Sequence, residues 1–236
     1  PKLLLYGFSI VFFASYGQTF FISIFNAEIR NFYKLTDGQF GLIYALGTLT
    51  SSLILIGFAK LIDHVDLRLY SFIIAIGLIL SCIGLYLLYN SMIFLFFVLF
   101  GLRFFGQGAM SHAGETTMAR YFGKNRGKAI SVSTFGGMIG VMILPIIVVK
   151  LIYIIGWKEV WLVSGLSILI FFIPIIFFTL KNQKTRHLNF QESLNNSVNI
   201  KKLRTRDIVL NKNFFIFLPI SVATPFISTG LTFHQI

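Results

Sequence analysis

The residue best placed to do chemistry in this chain is Arg103, which stands in GLRFFGQGAMSHAGE among Phe, Leu and Gly. A guanidinium in such surroundings cannot be left in hydrocarbon, so it must face protein, water or an anion. On a helix at about 100° per residue, Gln107, Met110 and Gly114 fall near the Arg103 face, while Gly101, Gly108 and His112 fall opposite. Two roles fit Arg103. It can meet an anion, or it can hydrogen-bond neighbouring helices and act in gating or proton coupling. His112 reads as a packing-face or backbone-bonded histidine. Glu115 is either a solvated end charge or part of an inner gate or proton relay.

Other polar residues in apolar surroundings are few. Ser15, Gln18, Thr19 and Asn26 form a stripe in the first apolar stretch, suited to interhelical hydrogen bonds or to contact with a substrate. Ser221, Thr224, Ser228 and Thr232 form a line in the last stretch. Asp63, His64, Asp66 and Arg68 crowd a short loop, which is either a solvated turn or a charge latch against neighbouring helix ends, since helix amino termini favour carboxylates. No metal-ligand spacing, nucleophile-base pair or paired carboxylates converge, so the sequence offers no catalytic residue, metal site or cofactor. The lone Cys82 reads as a small packing residue, and an intramolecular disulfide has no second cysteine to form with.

The elements that must position these residues are membrane helices. Hydrophobic residues make up 56% of the chain, charged residues 12%, and mean hydropathy is +0.82, outside the range of soluble domains. Apolar stretches run over 3–27, 38–59, 69–102, 129–149, 160–180 and 213–236. Each suffices for a spanning helix of about 20 residues. The stretch from Leu69 is long enough to need a break, which Tyr89, Asn90 and Ser91 supply. Seven spans result, the fourth from Met92 to about Met118, with Arg103 roughly 16 Å along it, near the bilayer midplane. The alternation of an outer-membrane barrel is missing, and residues 1–27 lack the cleavage site of a signal peptide.

Smaller signals punctuate the spans. Thr36 with Gln39 makes a capping box. Gly123 and Gly127 suit a tight turn. Gly136 and Gly140 form a small-xxx-small face, and Pro145 should bend the fifth helix. Tyr86 and Tyr89 fit an interfacial belt. Residues 181–212 change character, with eight basic and two acidic side chains, and read as a partly helical tether that also touches lipid.

The net charge of +12 is topological. With the amino terminus inside, 15 basic residues fall in inner segments and four in outer ones, so the positive-inside rule puts the amino terminus and the central loop in the cytoplasm. A nucleic-acid partner is set aside on the same ground.

The motifs carry a family resemblance. Ala59 to Arg68 is similar to the loop signature between helices two and three of the major facilitator superfamily, with Asp63 and Arg68 retained and Ala59 and Asp66 standing where glycines are usual. Arg103 to Gly108 resembles that family's fourth-helix arginine-glycine signature. Tyr121 to Ala129 and Gly230 to Gln235 resemble the bacterial branch related to monocarboxylate and oxalate/formate carriers. The resemblance implies an all-α polytopic membrane protein. Residues 1–180 would be a six-helix bundle of two inverted three-helix repeats, 181–213 a basic cytoplasmic central loop, and 214–236 the first helix of a second bundle whose remainder is missing.

It further implies a secondary transporter, not an enzyme, in the inner (plasma) membrane. Such a carrier would move a small organic anion by alternating access, with a proton or other ion as coupling partner. The site would lie in a water-accessible crevice at the midplane, formed by Arg103, Gln107, Gln18, Thr224 and Ser228. Asp63, Arg68, Glu115 and Arg126 would form the gate or latch, and Gly136, Gly140 and Pro145 the packing face. The alternatives are an efflux carrier of drug-like solutes and a non-transporting membrane scaffold.

Overall fold

The apolar stretches become seven helices of membrane-spanning length in the computed structural model, which describes residues 2–196 and 211–234. They are α1 (Lys2–Ser23), α2 (Asp37–Asp63), α3 (Leu67–Leu87), α4 (Met92–Tyr121), α5 (Gly123–Ile155), α6 (Trp157–Thr179) and α7 (Lys212–Leu231). Among the described residues every regular element is helical.

Local chemistry sets the ends of these helices. Thr36 accepts from the Gln39 backbone N–H while the Gln39 side chain accepts from that of Thr36, so the capping box forms. Leu88 turns left-handed to close α3, and Ser91 caps α4 by accepting from the Phe94 N–H. This is the break expected at Tyr89 to Ser91. Two turns need glycine itself: Gly123 (φ 46°) joins α4 to α5, and Gly156 (φ 93°) joins α5 to α6. Gly127, expected to share the first of these, lies within the helix Arg126–Ile155.

Two departures from sequence expectation occur in the helices themselves. The first helix is not continuous, because Ser15–Gly17 tightens to a 3-10 turn and Gln18 is extended (φ −79°, ψ 153°) before the helix resumes at Thr19. Beyond α1 a separate short helix, Asn26–Tyr33, buries Asn26, Ile29 and Tyr33. Asn26 therefore leaves the stripe expected on the first helix. Wider π turns occupy Leu102–Met110 in α4 and Ile168–Phe172 in α6. The second precedes Pro174, whose missing N–H leaves a carbonyl one turn earlier without its usual bond and favours local widening. Pro145 stands inside the helix Arg126–Ile155 without ending it.

The broadest packings pair α1 with both α4 and α5, α2 with α4, and α3 with α6. All four are preserved when α1 is exchanged with α4, α2 with α5 and α3 with α6, as two related three-helix units would require. Small residues make the close contacts. A Cβ on Gly136 would fall 2.1 Å from the Phe8 carbonyl oxygen, and one on Gly140 2.1 Å from Ser15 Oγ, so α1 and α5 touch through backbone. Between α3 and α4, Gly77 lies under Phe105, Ser81 faces Gly101 and Gly84 lies under Val98. The third helix, nearly featureless as sequence, therefore carries a small-residue seam.

Buried hydroxyls tie the helices further: Tyr6 to Ser71 at 2.7 Å, Tyr16 to Ser167 at 2.8 Å, and Ser133 to the Gly7 carbonyl at 2.8 Å. The turns α2–α3 and α4–α5 and the helix Gln183–Asn196 share one end of the bundle, called here the basic end. There Tyr121 joins His187 at 3.2 Å and stacks edgewise on Phe190. Part of the central loop, 197–210, lies outside the described residues.

The glycine contacts give a direct test. Gly136→Val should lower the stability of the folded protein in detergent by about 1–3 kcal/mol through overpacking against Phe8. Gly38→Ala, at a helical position with nothing within 4 Å, should not lower stability and can raise it by up to about 1 kcal/mol.

Candidate functional site

The site is built where α1 crosses α4. A Cβ on Gly17 would lie 2.1 Å from the Leu102 carbonyl oxygen and 2.8 Å from Gly106 Cα, and one on Gly106 would lie 2.7 Å from Gly17 Cα. Only glycine at both positions allows backbones this close. The 3-10 turn and the extended Gln18 interrupt the helical bonding of α1 at the crossing, which turns the Gly17 carbonyl toward α4.

Arg103 fills the space this break opens. Its Nη1 donates to the Gly17 carbonyl at 3.3 Å and to Thr19 Oγ1 at 3.1 Å, and its Nε donates to Thr48 Oγ1 at 3.0 Å. The guanidinium carbon sits 5.1 Å from the centre of the Tyr44 ring, a cation-π arrangement, and the Tyr44 hydroxyl donates to Thr19 Oγ1 at 2.9 Å. One arginine on α4 thus joins α1 and α2 through two hydroxyls and a carbonyl. Among the described residues, the ion pairs are Arg30 with Asp37 and Arg120 with Asp63, so the hydrogen bonds of Arg103 all go to neutral oxygens.

Two sequence expectations change here. Arg103 is 5% exposed and lies between α1, α2 and α4, where a water-accessible crevice beside the first and seventh helices was expected. Its bonds go to Gly17, Thr19 and Thr48, not to Gln18 or Gln107. Gln18 is the extended residue of the break and is partly exposed. Gln107 is one turn along, partly exposed, with its Oε1 buried and without a hydrogen-bond partner. Gly114 packs on Val11, Ile10 and Ser133, and Met110 is fully buried. Ser228 of α7 is exposed, and the side chain of Thr224 lies outside the described residues, as do those of Ser221 and Thr232.

The latch set is also rearranged. Asp63 pairs with Arg120, which also donates to the Ile62 carbonyl at 3.3 Å. Arg120 went unnoticed because it ends α4, 57 residues from its partner. Its signal was a basic residue in the last turn of a helix. Arg68 instead lies over the Phe177 ring of α6, 5.6 Å from its centre, while its backbone N–H is capped by Asp66 at 2.8 Å. Glu115 and Arg126 are exposed and belong to neither described ion pair. His112 bonds the Thr116 hydroxyl one turn away rather than the backbone. Next to the latch, a cavity of about 330 Å3 opens between the α2–α3 turn and the helix Gln183–Asn196, lined by Asp63, His64, Tyr121 and His187 among others.

Such a geometry can lock and release helices around one cation. Removing an acceptor should be costly, since a buried donor then loses its bond. Thr48→Val should lower stability in detergent by about 1–3 kcal/mol, whereas Glu115→Gln at an exposed position should stay within about 0.5 kcal/mol. Chemical unfolding of the full chain checks both.

Comparison with known proteins agrees with this arrangement. A family model described as Major Facilitator Superfamily matches residues 7–235. No curated protein and no solved structure matches the chain. With seven helices of spanning length and a match over nearly all its residues, the chain belongs to the major facilitator superfamily of multi-pass membrane proteins and is a secondary transporter of a solute.

Proposed function

We propose that the transported solute is a small organic anion, such as a monocarboxylate, moved by alternating access and coupled to a proton or other ion gradient. The observation that carries this reading is the charge state of the site. Arg103 is a permanent cation near mid-bilayer depth whose described bonds are all to neutral oxygens. A buried positive charge without a counter-ion is costly, and an anionic ligand would reduce that cost. Gln107, one turn from Arg103 and partly exposed, carries amide N–H groups that could orient a carboxylate.

Since Arg103 is sealed by α1 and α2 in this arrangement, binding requires the break at Gly17 and Gln18 to yield. Exchange of the Gly17 and Thr19 oxygens for those of the ligand couples binding to movement of α1. A ligand with greater affinity for the yielded state shifts the population toward it. The Asp63–Arg120 pair at the basic end favours the state in which the α2–α3 turn and the end of α4 stay together.

The seventh helix supports a carrier over a stand-alone scaffold. A scaffold would seal α7 against the other six, whereas none of the described window of α7 is buried and its packing is against Thr19–Ser23 of α1. We assign α7 to the wall of a second bundle, with Thr224 and Ser228 on the polar line that would face the solute. The basic end, with Lys60, Arg120, Lys124, Arg126 and Lys128, is assigned to the cytoplasm by the positive-inside rule, and the plasma membrane is the compartment that uptake of an external solute requires.

Uptake of labelled acetate, lactate and oxalate by cells expressing the full-length protein tests the reading. Wild-type uptake of at least one of these should fall by about 30-fold or more in Arg103→Gln, with the protein still inserted in the membrane. Unchanged uptake in the inserted variant would remove Arg103 from the transport step.

A further inference from the structure

A second cation at the basic end has surroundings that the transport reading does not use. Arg68 lies in the first turn of α3 and reaches across to α6, over the Phe177 ring. Its Nε is buried without a hydrogen-bond partner, and neither described ion pair includes it. Beside it runs a groove of about 380 Å3 lined by Asp66, Arg68, Leu69, Phe72, Phe177 and Lys184. Leu69 and Phe177 are about half exposed, so one wall is apolar surface of the bundle and the rim is basic.

The chemistry of the groove is that of a boundary. Lys2 stacks on Phe178, 4.5 Å from its ring centre, so consecutive phenylalanines at the end of α6 each carry a cation. In both contacts the charged head itself lies over the ring face, a cation-π arrangement at the edge of the apolar surface. The carboxylate in the groove, Asp66, is turned to its own helix, where it accepts the Arg68 backbone N–H. The unused valence is a guanidinium N–H at the basic end of the bundle, with a second basic group at Lys184 and an apolar wall of Leu69, Phe72 and Phe177 beside it.

We propose that this groove between α3 and α6 holds one anionic phospholipid from the leaflet at the basic end. Arg68 and Lys184 grip the phosphate, and an acyl chain lies over Leu69, Phe72 and Phe177. A phosphate suits the guanidinium because it accepts from Nε and Nη together. Basic pockets between membrane helices are sites of this kind. A free phosphate would satisfy the rim and leave the trough unfilled, while a neutral lipid would fill the trough and leave the Arg68 charge unmatched. The site is independent of which solute is carried, and it would tie the first turn of α3, beside the Asp63 latch, to the composition of the membrane.

Native mass spectrometry of the full-length protein, titrated with phosphatidylglycerol and with phosphatidylcholine of the same chains, tests this. Wild type should retain phosphatidylglycerol about five-fold better or more. Arg68→Gln should bring retention down to the phosphatidylcholine level and Lys184→Gln should lower it part of the way. Lys124→Gln, which removes the same charge from the α4–α5 turn, should leave it unchanged. Glycerol 3-phosphate should fail to displace the lipid. Equal retention in wild type and Arg68→Gln overturns the proposal, as does an equal loss in Lys124→Gln, which would mean diffuse attraction, or displacement by glycerol 3-phosphate, which would mean a free-anion site. Should Arg68→Gln fail to fold, Lys184→Gln at its exposed position decides alone, and full retention there overturns it.

Discussion

A guanidinium buried between three helices has to be given oxygens, and in this bundle the backbone of α1 is broken to supply one. The Gly17 carbonyl, the Thr19 hydroxyl and the Thr48 hydroxyl meet Arg103, and the crossing that brings them there exists because Gly17 and Gly106 have no side chains to hold α1 and α4 apart. The desolvation of Arg103 therefore constrains more than a local contact. It requires a helix break at one depth, a glycine pair at the same depth, and α2 packed close enough to offer Thr48 and the Tyr44 ring. A stable membrane helix with every bond satisfied along α1 would leave this cation with fewer partners.

The remaining packing supports that crossing from both sides. α5 presses its Gly136 and Gly140 face against the first half of α1, while α3 receives Phe105 over Gly77 and so fixes the far side of α4. Lipid is as apolar as these side chains, so hydrophobic burial does little to hold one helix to another. Close backbone contact and buried hydroxyl bonds do that work instead. At the basic end the Asp63–Arg120 pair and the docking of the helix Gln183–Asn196 on Tyr121 close the bundle. α4 thus carries two cations with different duties, Arg103 bonded to neutral oxygens between the helices and Arg120 paired with a carboxylate at the basic end.

Much of the architecture could be read from the sequence because a membrane imposes its own ruler. Span number, the break after Leu87, the Thr36 capping box and the small face of α5 all follow from length, hydropathy and local residue types. Arg103 also declared itself, since a cation in a run of phenylalanines has no bland explanation. Its partners did not. Thr48 and Tyr44 lie about fifty residues away on another helix, and a hydroxyl in a membrane helix carries no mark of which neighbour it serves. The break at Gln18 was equally silent, since Ser15 to Thr19 contains no proline and its polar residues fit an ordinary helical stripe. Arg120 was overlooked in favour of Arg68 and Arg126 because several basic residues crowd that end and only tertiary packing chooses among them.

If Arg103 holds α1 at its break, hydrogen exchange at that break reports the hold. In the full-length protein in lipid nanodiscs, peptides covering residues 15–19 should exchange about ten-fold faster or more in Arg103→Gln than in wild type, because the bonds to Gly17 and Thr19 that fix the segment are gone. Peptides from the centre of α5 should be unchanged. Equal exchange at residues 15–19 in the two proteins, with the variant folded, would contradict the account and make the break a property of α1 alone.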